Sequence, residues 1–262
     1  MAEPHVLYEI KQHVGIITLN RPEAKNAFSP EMISLWNRFL TEAGADENIR
    51  VIVVTGKGDT FCSGGDIKEM AEGKWMSWDM KNLLWQGIHR IVLTLEDLDK
   101  PVIAAINGAA MGAGMDMAIM CDIRVCSEKA KLAEAYINMG LAPGDGGAYF
   151  LPRLVGISKA LELLLTGDVL GAQEALQLGI VNRVVPHGHL MEETLHLAEK
   201  IGAKAPLAVR AIKRAVYQSQ SMTLRGHLDY ISSQMGLLSE TRDHKEAAKA
   251  FLEKRKPVFL GE

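Results

Sequence analysis

The chain has 262 residues and a hydrophobic content of 48%, which fits a globular protein that buries a full core. Its net charge of −3 provides no basic excess for nucleic acid or anionic lipid. No apolar run reaches the ~18 residues of a membrane-spanning helix, and the N-terminus has no signal-peptide pattern, so we expect a cytoplasmic protein.

The first third of the chain predicts strands that alternate with one long helix. Short apolar runs predict strands at residues 6–10, 14–19 and 51–55. A loop at 20–28 is punctuated by Pro and Asn, and a helix follows from Ser29 or Pro30 to about residue 45. Residues 61–67 then form a small-residue turn, with Asp66 placed to cap the next helix.

The stretch from 101 to 126 is the one around which the chain is organised. Residues 101–106 predict a buried strand, residues 112–114 (Gly-Ala-Gly) a turn with little side-chain cover, and residues 115–120 a helix. Bare N–H groups at a positive helix end suit an oxygen that becomes anionic during a reaction. Asp116, one turn into this helix, is either a helix-start charge or a catalytic acid.

The remaining elements continue the alternation up to about residue 185. An amphipathic helix is expected at 80–98, a strand at 122–125, an extended segment at 131–137 and a glycine-rich turn at 143–147 that opens a helix. Helices at 158–166 and 172–179 and a strand at 180–185 follow, and from His189 onward the pattern is helical. Alternating strands and helices predict a mostly parallel sheet with crossover helices, hence an α/β fold.

Cysteine and histidine spacing gives no sign of a metal site or of a disulfide framework. The three cysteines are expected to be buried thiols in a reducing compartment, and the eight histidines show no ligand spacing. We therefore expect no metal.

Several motifs together identify a resemblance that covers nearly the whole chain. They are NRPEAKNAF at 20–28, FCSGGDIKEM at 61–70, PVIAAINGAAMGAGMDMAIMCDIRV at 101–125, LVGISKALELLLTGDVLGAQEALQLGIVNRVV at 154–185 and FLEKRKPVF at 251–259. The sequence resembles the enoyl-CoA hydratase/isomerase, or crotonase, family. The resemblance implies a crotonase-like spiral of ββα units at 1–188, a helical oligomerisation region at 189–262, a homotrimer or homohexamer, and acyl-CoA substrates.

In the family, two backbone N–H groups from two glycine-rich turns hold the thioester oxygen. By position these fall on Gly65 and Ala113, which agrees with the two small-residue turns read from the residues themselves. We expect the two amides to converge on a point about 3 Å from each. The alternative is that both segments are simply tight turns.

Hydratases of the family hold one water with two glutamates, and this chain departs from both. Asp116 occupies the first position, and its side chain is one methylene shorter than that of the family's glutamate. Tyr136 occupies the second, and a phenol with an ordinary pKa near 10 is a weak base at neutral pH. It is either a hydrogen-bond donor to water or substrate, or part of the core.

Two carboxylates are candidates for the role of the missing second glutamate. Asp145 lies one residue after a position where isomerase and dehalogenase members carry a working aspartate, and its alternative is a helix-start cap. Glu134 would share a face with Tyr136 if the segment is extended, and its alternative is a solvated strand charge.

The resemblance also implies residues that line the CoA moiety. These are Lys25, a candidate phosphate contact, and Ala27, Ser63, Gly64, Asp66 and Ile67. Phe251 and Lys254 match positions that reach CoA from a neighbouring subunit, and the alternative for Lys254 is a solvated helix-end charge.

The sequence thus predicts an enzyme without a separate cofactor that hydrates a 2-enoyl-CoA, with Asp116 as general acid/base. Double-bond isomerisation, which moves a single proton, is the alternative, and acyl-CoA hydrolysis and RNA binding are weaker ones. The acyl chain stays open, since Trp75, Trp78, Trp85 and nearby methionines suit a long-chain or a cyclic pocket.

Overall fold

The computed structural model describes residues 3–67 and 76–262. Its strands alternate with helices as predicted. The strands are β1 (Val6–Lys11), β2 (Val14–Leu19), β3 (Val51–Gly56), β4 (Thr60–Cys62), β5 (Val102–Ile106), β6 (Ala109–Met111), β7 (Ile123–Ser127), β8 (Lys131–Ala133), β9 (Leu170–Gly171) and β10 (Arg183–Val185).

These strands form two sheets in the described residues. The six-stranded sheet has the order β1-β2-β3-β5-β7-β10, and β1 is its antiparallel member. All five residues of β5 are buried. An unbroken apolar run of this kind is what a central parallel strand needs, because both of its faces are covered.

The four-stranded sheet, in the order β4-β6-β8-β9, positions the site. Its strands β4, β6 and β8 are parallel neighbours. The carboxyl ends of parallel strands meet at one edge, so the residues that follow these three strands are brought side by side. Those residues are the turn at 63–65, the turn at 112–113 and Glu134. Strand β6 lies between the predicted strand at 101–106 and the predicted turn at 112–114, where no strand was expected.

The helices cover both sheets. They are α1 (Pro30–Ala45), α2 (Ser77–Asn82), α3 (His89–Asp97), α4 (Ala113–Met120), α5 (Gly147–Val155), α6 (Ile157–Thr166), α7 (Ala172–Gln177), α8 (Leu190–Gly202), α9 (Pro206–Gln218), α10 (Leu224–Glu240) and α11 (Arg242–Leu252). Helix α1 begins where predicted, since the Ser29 hydroxyl caps it by accepting from the Met32 N–H at 3.1 Å. A π-helical turn at Leu83–Ile88 joins α2 to α3.

Some predicted elements are wrong in their bounds. The segment at 131–137 is extended only to Ala133, and Ala135–Met139 forms a 3₁₀ turn. The strand at 180–185 begins only at Arg183, and the last helix ends at Leu252. The helix expected after Asp66, and Trp75 with it, lie outside the described residues.

The helical tail divides into parts with different packing. Leu190 and Ala198 of α8 pack on one face of the six-stranded sheet, so α8 adds to the core. In contrast, α10 contains no buried residue. The boundary between a spiral core at 1–188 and an oligomerisation region at 189–262 stays a prediction. No helix within 3–67 and 76–262 has the length and apolar character needed to span a bilayer.

Candidate active site

A cavity of about 450 Å³ opens where the three parallel strands of the smaller sheet end. One wall consists of the turns that contain Gly65 and Ala113. Tyr136 and Asp145 form part of a second wall. Most of the remaining lining is apolar and includes Phe28, Ile33, Met80, Leu83, Leu84, Ile88, Met111, Met139 and Leu141. Such a lining suits a hydrocarbon chain.

The two turns touch each other closely because they lack side chains. A Cβ on Gly64 would stand 2.8 Å from the Met111 carbonyl oxygen and 3.2 Å from the Ala113 nitrogen, and Gly64 has a φ of +84°. A Cβ on Gly114 would stand 2.0 Å from the Cys62 carbonyl oxygen. Glycine is therefore required at both positions for the start of α4 to reach β4.

The amides expected to bind an anionic oxygen are placed for that role. Ala113 is the first residue of α4, so its N–H has no partner within the helix. Within the described part of the chain, neither this amide nor that of Gly65 donates a backbone hydrogen bond. Both residues line the cavity. The convergence of the two amides on one point stays a prediction.

The candidate acids meet around the Tyr136 hydroxyl. This hydroxyl donates to Asp116 Oδ2 at 2.7 Å and lies 3.0 Å from Asp145 Oδ2. The Asp145 amide also donates to Asp116 Oδ2, at 3.2 Å. Asp116 is fully buried and does not line the cavity. Tyr136 and Asp145, rather than Asp116, are therefore the members of this group that face a substrate.

Glu134 joins the same cluster although the reasoning that placed it there was wrong. The chain leaves the extended conformation at Glu134 (φ −81°, ψ 68°) instead of continuing as a strand. The side chain is only 1% exposed, which rules out a solvated strand charge. A Cβ on Gly147 would meet Asp116 Oδ1 at 2.2 Å and the two Glu134 oxygens at 2.8 and 2.9 Å. The two carboxyls therefore meet beside Gly147.

Burial shifts the pKa values of the cluster upward. It raises the pKa of Asp145 to about 6, helped by the charge of Asp116 and opposed by Tyr136 and His89. Burial, with the Asp116 charge, raises the pKa of Glu134 to about 10. Burial also raises the pKa of Asp116 and, with its two acidic neighbours, that of Tyr136. At neutral pH, Asp145 is ionised while Glu134 and Tyr136 hold their protons.

His89 is a site residue that the sequence did not reveal. Its Nε2 lies 2.7 Å from the Gly144 carbonyl oxygen and 3.7 Å from Asp145 Oδ1. It thus fixes the loop that carries Asp145. It occupies an ordinary position on an amphipathic helix, and no motif marks it.

The residues proposed for CoA binding fall into three groups. Ser63, Gly64, Asp66 and Ile67 line the cavity. Lys25 and Ala27 do not, but their loop is joined to the first turn, because the Ser63 amide donates to the Lys25 carbonyl at 3.1 Å. Lys25 Nζ lies 3.1 Å from Asp59 on an exposed surface.

The third group lies in the tail. Phe251 is 84% exposed near the end of α11, and Lys254 follows with a φ of +54°. Neither lines the cavity of its own chain, and the contact with the CoA of a neighbouring subunit stays a prediction.

Comparisons with known proteins agree on one family. The family model described as enoyl-CoA hydratase/isomerase matches residues 9–262. The chain is 35% identical to a crotonyl-CoA hydratase of Syntrophomonas wolfei, covering 99% of each. It is 38% identical to a 2,3-dehydroadipyl-CoA hydratase of Escherichia coli, covering 96% of each. The crystal structure of an enoyl-CoA hydratase from Bacillus anthracis matches with a TM-score of 0.94 at 35% identity, covering 98% of this chain and 100% of that one.

Proposed function

Since this chain belongs to the enoyl-CoA hydratase/isomerase family, we propose that it adds water across the C2–C3 double bond of a 2-enoyl-CoA, or catalyses the reverse. The observation that carries the proposal is the cavity itself. Two turn amides with no backbone partner among the described residues lie on one wall, and a hydrogen-bonded Tyr136–Asp145 pair lies on the other. The substrate brings its own CoA, and moving a proton and a hydroxide requires no further cofactor.

The geometry suggests which groups would transfer the proton and the hydroxide of the water to the double bond. The amides of Gly65 and Ala113 bind the thioester oxygen, and Asp145 accepts a proton from water as the water oxygen bonds to C3. The electron pair of the double bond moves onto the thioester oxygen as an enolate. Tyr136 then gives its proton to C2 and regains one from Asp145, 3.0 Å away. No proton is gained or lost over the cycle.

Asp116 has a different role in this scheme from the one expected from the sequence. It was expected to reach the reacting carbons, but it is buried behind Tyr136 and accepts the hydrogen bond of that hydroxyl. We propose that Asp116 orients Tyr136 and that Asp145 is the base. Asp116→Asn is then expected to lower kcat less than Asp145→Asn does.

Double-bond isomerisation is the second candidate. The observation in its favour is that Asp116 and Glu134 lie behind Tyr136, so a single relay of Asp145 and Tyr136 meets the substrate. Such a relay suffices to take a proton from C4 and return it to C2.

One experiment separates these reactions. The protein is incubated with a panel of enoyl-CoAs in heavy-oxygen water, and the products are analysed by mass. Label in the product is expected for hydration. A shifted double bond without label would establish isomerisation, and free CoA would establish hydrolysis.

We also propose a homotrimer or homohexamer in the cytoplasm. Apolar side chains of α10 and α11 are exposed in the single chain, among them Leu224, Leu228, Leu237 and Phe251, which favours burial between subunits. All three cysteines are free and buried, as expected in a reducing compartment. Light scattering at micromolar protein should give three or six chains, and a monomer would contradict the proposal.

A contact between Phe251 and the CoA of a neighbouring subunit gives that proposal a second test. Phe251→Ala is expected to raise KM for the acyl-CoA while kcat stays close to that of the wild type, because Phe251 is remote from the reacting carbons. An unchanged KM in a protein that still assembles would remove this contact.

A further inference from the structure

Glu134 has a buried environment that provides no donor for a carboxylate. Its side chain is 1% exposed. Within 3–67 and 76–262, no group donates a hydrogen bond to either of its oxygens. An ionised carboxylate in such a place would lose its hydration without compensation, so the protonated form is strongly favoured. Glu134 therefore enters the cluster as a hydrogen-bond donor.

Asp116 provides the acceptor for that proton. Its Oδ2 is occupied by the Tyr136 hydroxyl and the Asp145 amide. Its Oδ1 is buried and faces Glu134 beside Gly147, whose amide also favours a negative charge on Asp116. A proton on Glu134 and a negative charge on Asp116 complete the pattern of hydrogen bonds.

We propose that Glu134 is a positioning residue whose proton keeps Asp116 as the ionised acceptor of the Tyr136 hydroxyl. When Asp116 accepts hydrogen bonds on both oxygens, the Tyr136 hydroxyl can donate to it. The lone pairs of the Tyr136 oxygen are then free to accept from Asp145 or from a molecule in the cavity. If Asp116 were protonated on Oδ2, its own O–H would point at Tyr136 and reverse that arrangement. The inference rests on the proposed function, in which Tyr136 must regain a proton from Asp145.

The charged and titratable groups around this pair come from every element packed on it. Asp116 lies on α4, and Glu134 and Tyr136 follow β8. Asp145 lies in the loop before α5, with His89 of α3 beside it. Cys62 of β4 lies close enough to sense the charge of Asp145. The burial-raised pKa of Glu134, about 10, agrees with a proton held there at neutral pH.

Two substitutions of almost the same size test the proposal. Glu134→Gln keeps a donor to Asp116 but cannot titrate, whereas Glu134→Met fills the space without any donor. We expect Glu134→Gln to keep kcat within about 3-fold of the wild type. Glu134→Met should lower kcat by about 10-fold, less than the ~10²–10⁴-fold contributed by a group that itself transfers the proton, with little change in KM. The kcat–pH profile should be displaced in Glu134→Met alone, because Asp116 becomes protonated there.

Each other outcome overturns the inference. Loss of activity in Glu134→Gln would mean that Glu134 itself transfers a proton in catalysis. Equal activity in both variants would mean that it only fills space. Kinetics are followed with whichever reaction the wild type performs, so isomerisation in place of hydration would refute the proposed function without deciding this point.

Infrared spectroscopy of the resting protein supplies a readout that does not depend on activity. The carbonyl stretch of a protonated, buried carboxyl should be present in the wild type at neutral pH and absent in Glu134→Gln. Its persistence in Glu134→Gln would place the proton on another group and overturn the assignment.

Discussion

The two walls of the cavity are built from different kinds of chemistry. One wall offers backbone amides at Gly65 and Ala113, held by contacts so close that a Cβ on Gly114 would stand 2.0 Å from a carbonyl oxygen. The other wall consists of side chains from α4, the end of β8 and the loop before α5, which meet around the Tyr136 hydroxyl. The first, the backbone wall, depends on the absence of side chains. The second, the acid wall, depends on which side chains meet.

This difference affects how each wall tolerates change. The backbone wall keeps its donors under any substitution that preserves the turn, because an amide is present in every residue except proline. The acid wall depends on single protons shared among buried groups, so loss of one group changes the protonation of the others. Outside Gly64 and Gly114, the backbone wall should therefore tolerate substitutions other than proline, whereas each substitution in the acid wall should have an effect.

The largest effect is expected from Ala113→Pro, which removes the amide hydrogen of one of the two proposed donors. Proline is tolerated at the first position of a helix, so α4 should still form. We expect kcat to fall by about 10²–10³-fold, the loss seen when one oxyanion donor is removed. Steady-state kinetics measure it, and Ala113→Gly, which keeps the amide, is the control. Full activity in a folded Ala113→Pro protein would remove the anion site.

The next effect should come from Asp145→Asn on the acid wall. Asp145 must be ionised to accept a proton from water, and burial raises its pKa to about 6. In the wild type, kcat/KM should therefore rise with pH through about 6. The variant should lose about 10²-fold in kcat and lack this rise. Full activity in Asp145→Asn would show that Asp145 is not the base, in hydration or in isomerisation.

The sequence predicted the backbone wall better than the acid wall, for a physical reason. Small residues between a strand and a helix indicate locally that the backbone is bare, and the family resemblance then assigned the two donors to Gly65 and Ala113. The order of β4, β6 and β8 could not, since strands of three residues leave almost no periodic signal. Asp116 was singled out from its place in the helix and Glu134 from its spacing to Tyr136, while Tyr136 and Asp145 were named from the family. Their arrangement depends on tertiary contacts. His89 was missed because its role comes from packing beside Gly144.

A smaller effect is expected at Gly147, where the acid wall leaves no space for a side chain. In Gly147→Ala the new methyl would stand 2.2 Å from Asp116 Oδ1 and under 3 Å from both Glu134 oxygens. The two carboxyls must separate, so we expect a kcat about 10-fold lower and a free energy of unfolding lower by about 1–3 kcal/mol. Gly171→Ala, which meets nothing within 4 Å, is the matched control. Equal behaviour of the two variants would show that the pair is not tightly held.

The smallest effect is a change in how stability depends on pH, and it isolates the proton on Glu134. The pKa of Glu134 is raised from 4.5 to about 10 by burial, so the folded state holds one proton more than the unfolded chain between these values. The free energy of unfolding should therefore decrease as the pH rises through this window, by about 1.4 kcal/mol per pH unit from this group. Asp145 adds a slope of the same sign only below about pH 6. Urea unfolding between about pH 6.5 and pH 9, at one protein concentration, should show this slope in the wild type and a flatter one in Glu134→Gln. Equal slopes would mean that Glu134 is already ionised in the folded protein, and the acid wall would then carry one more negative charge than its hydrogen bonds can satisfy.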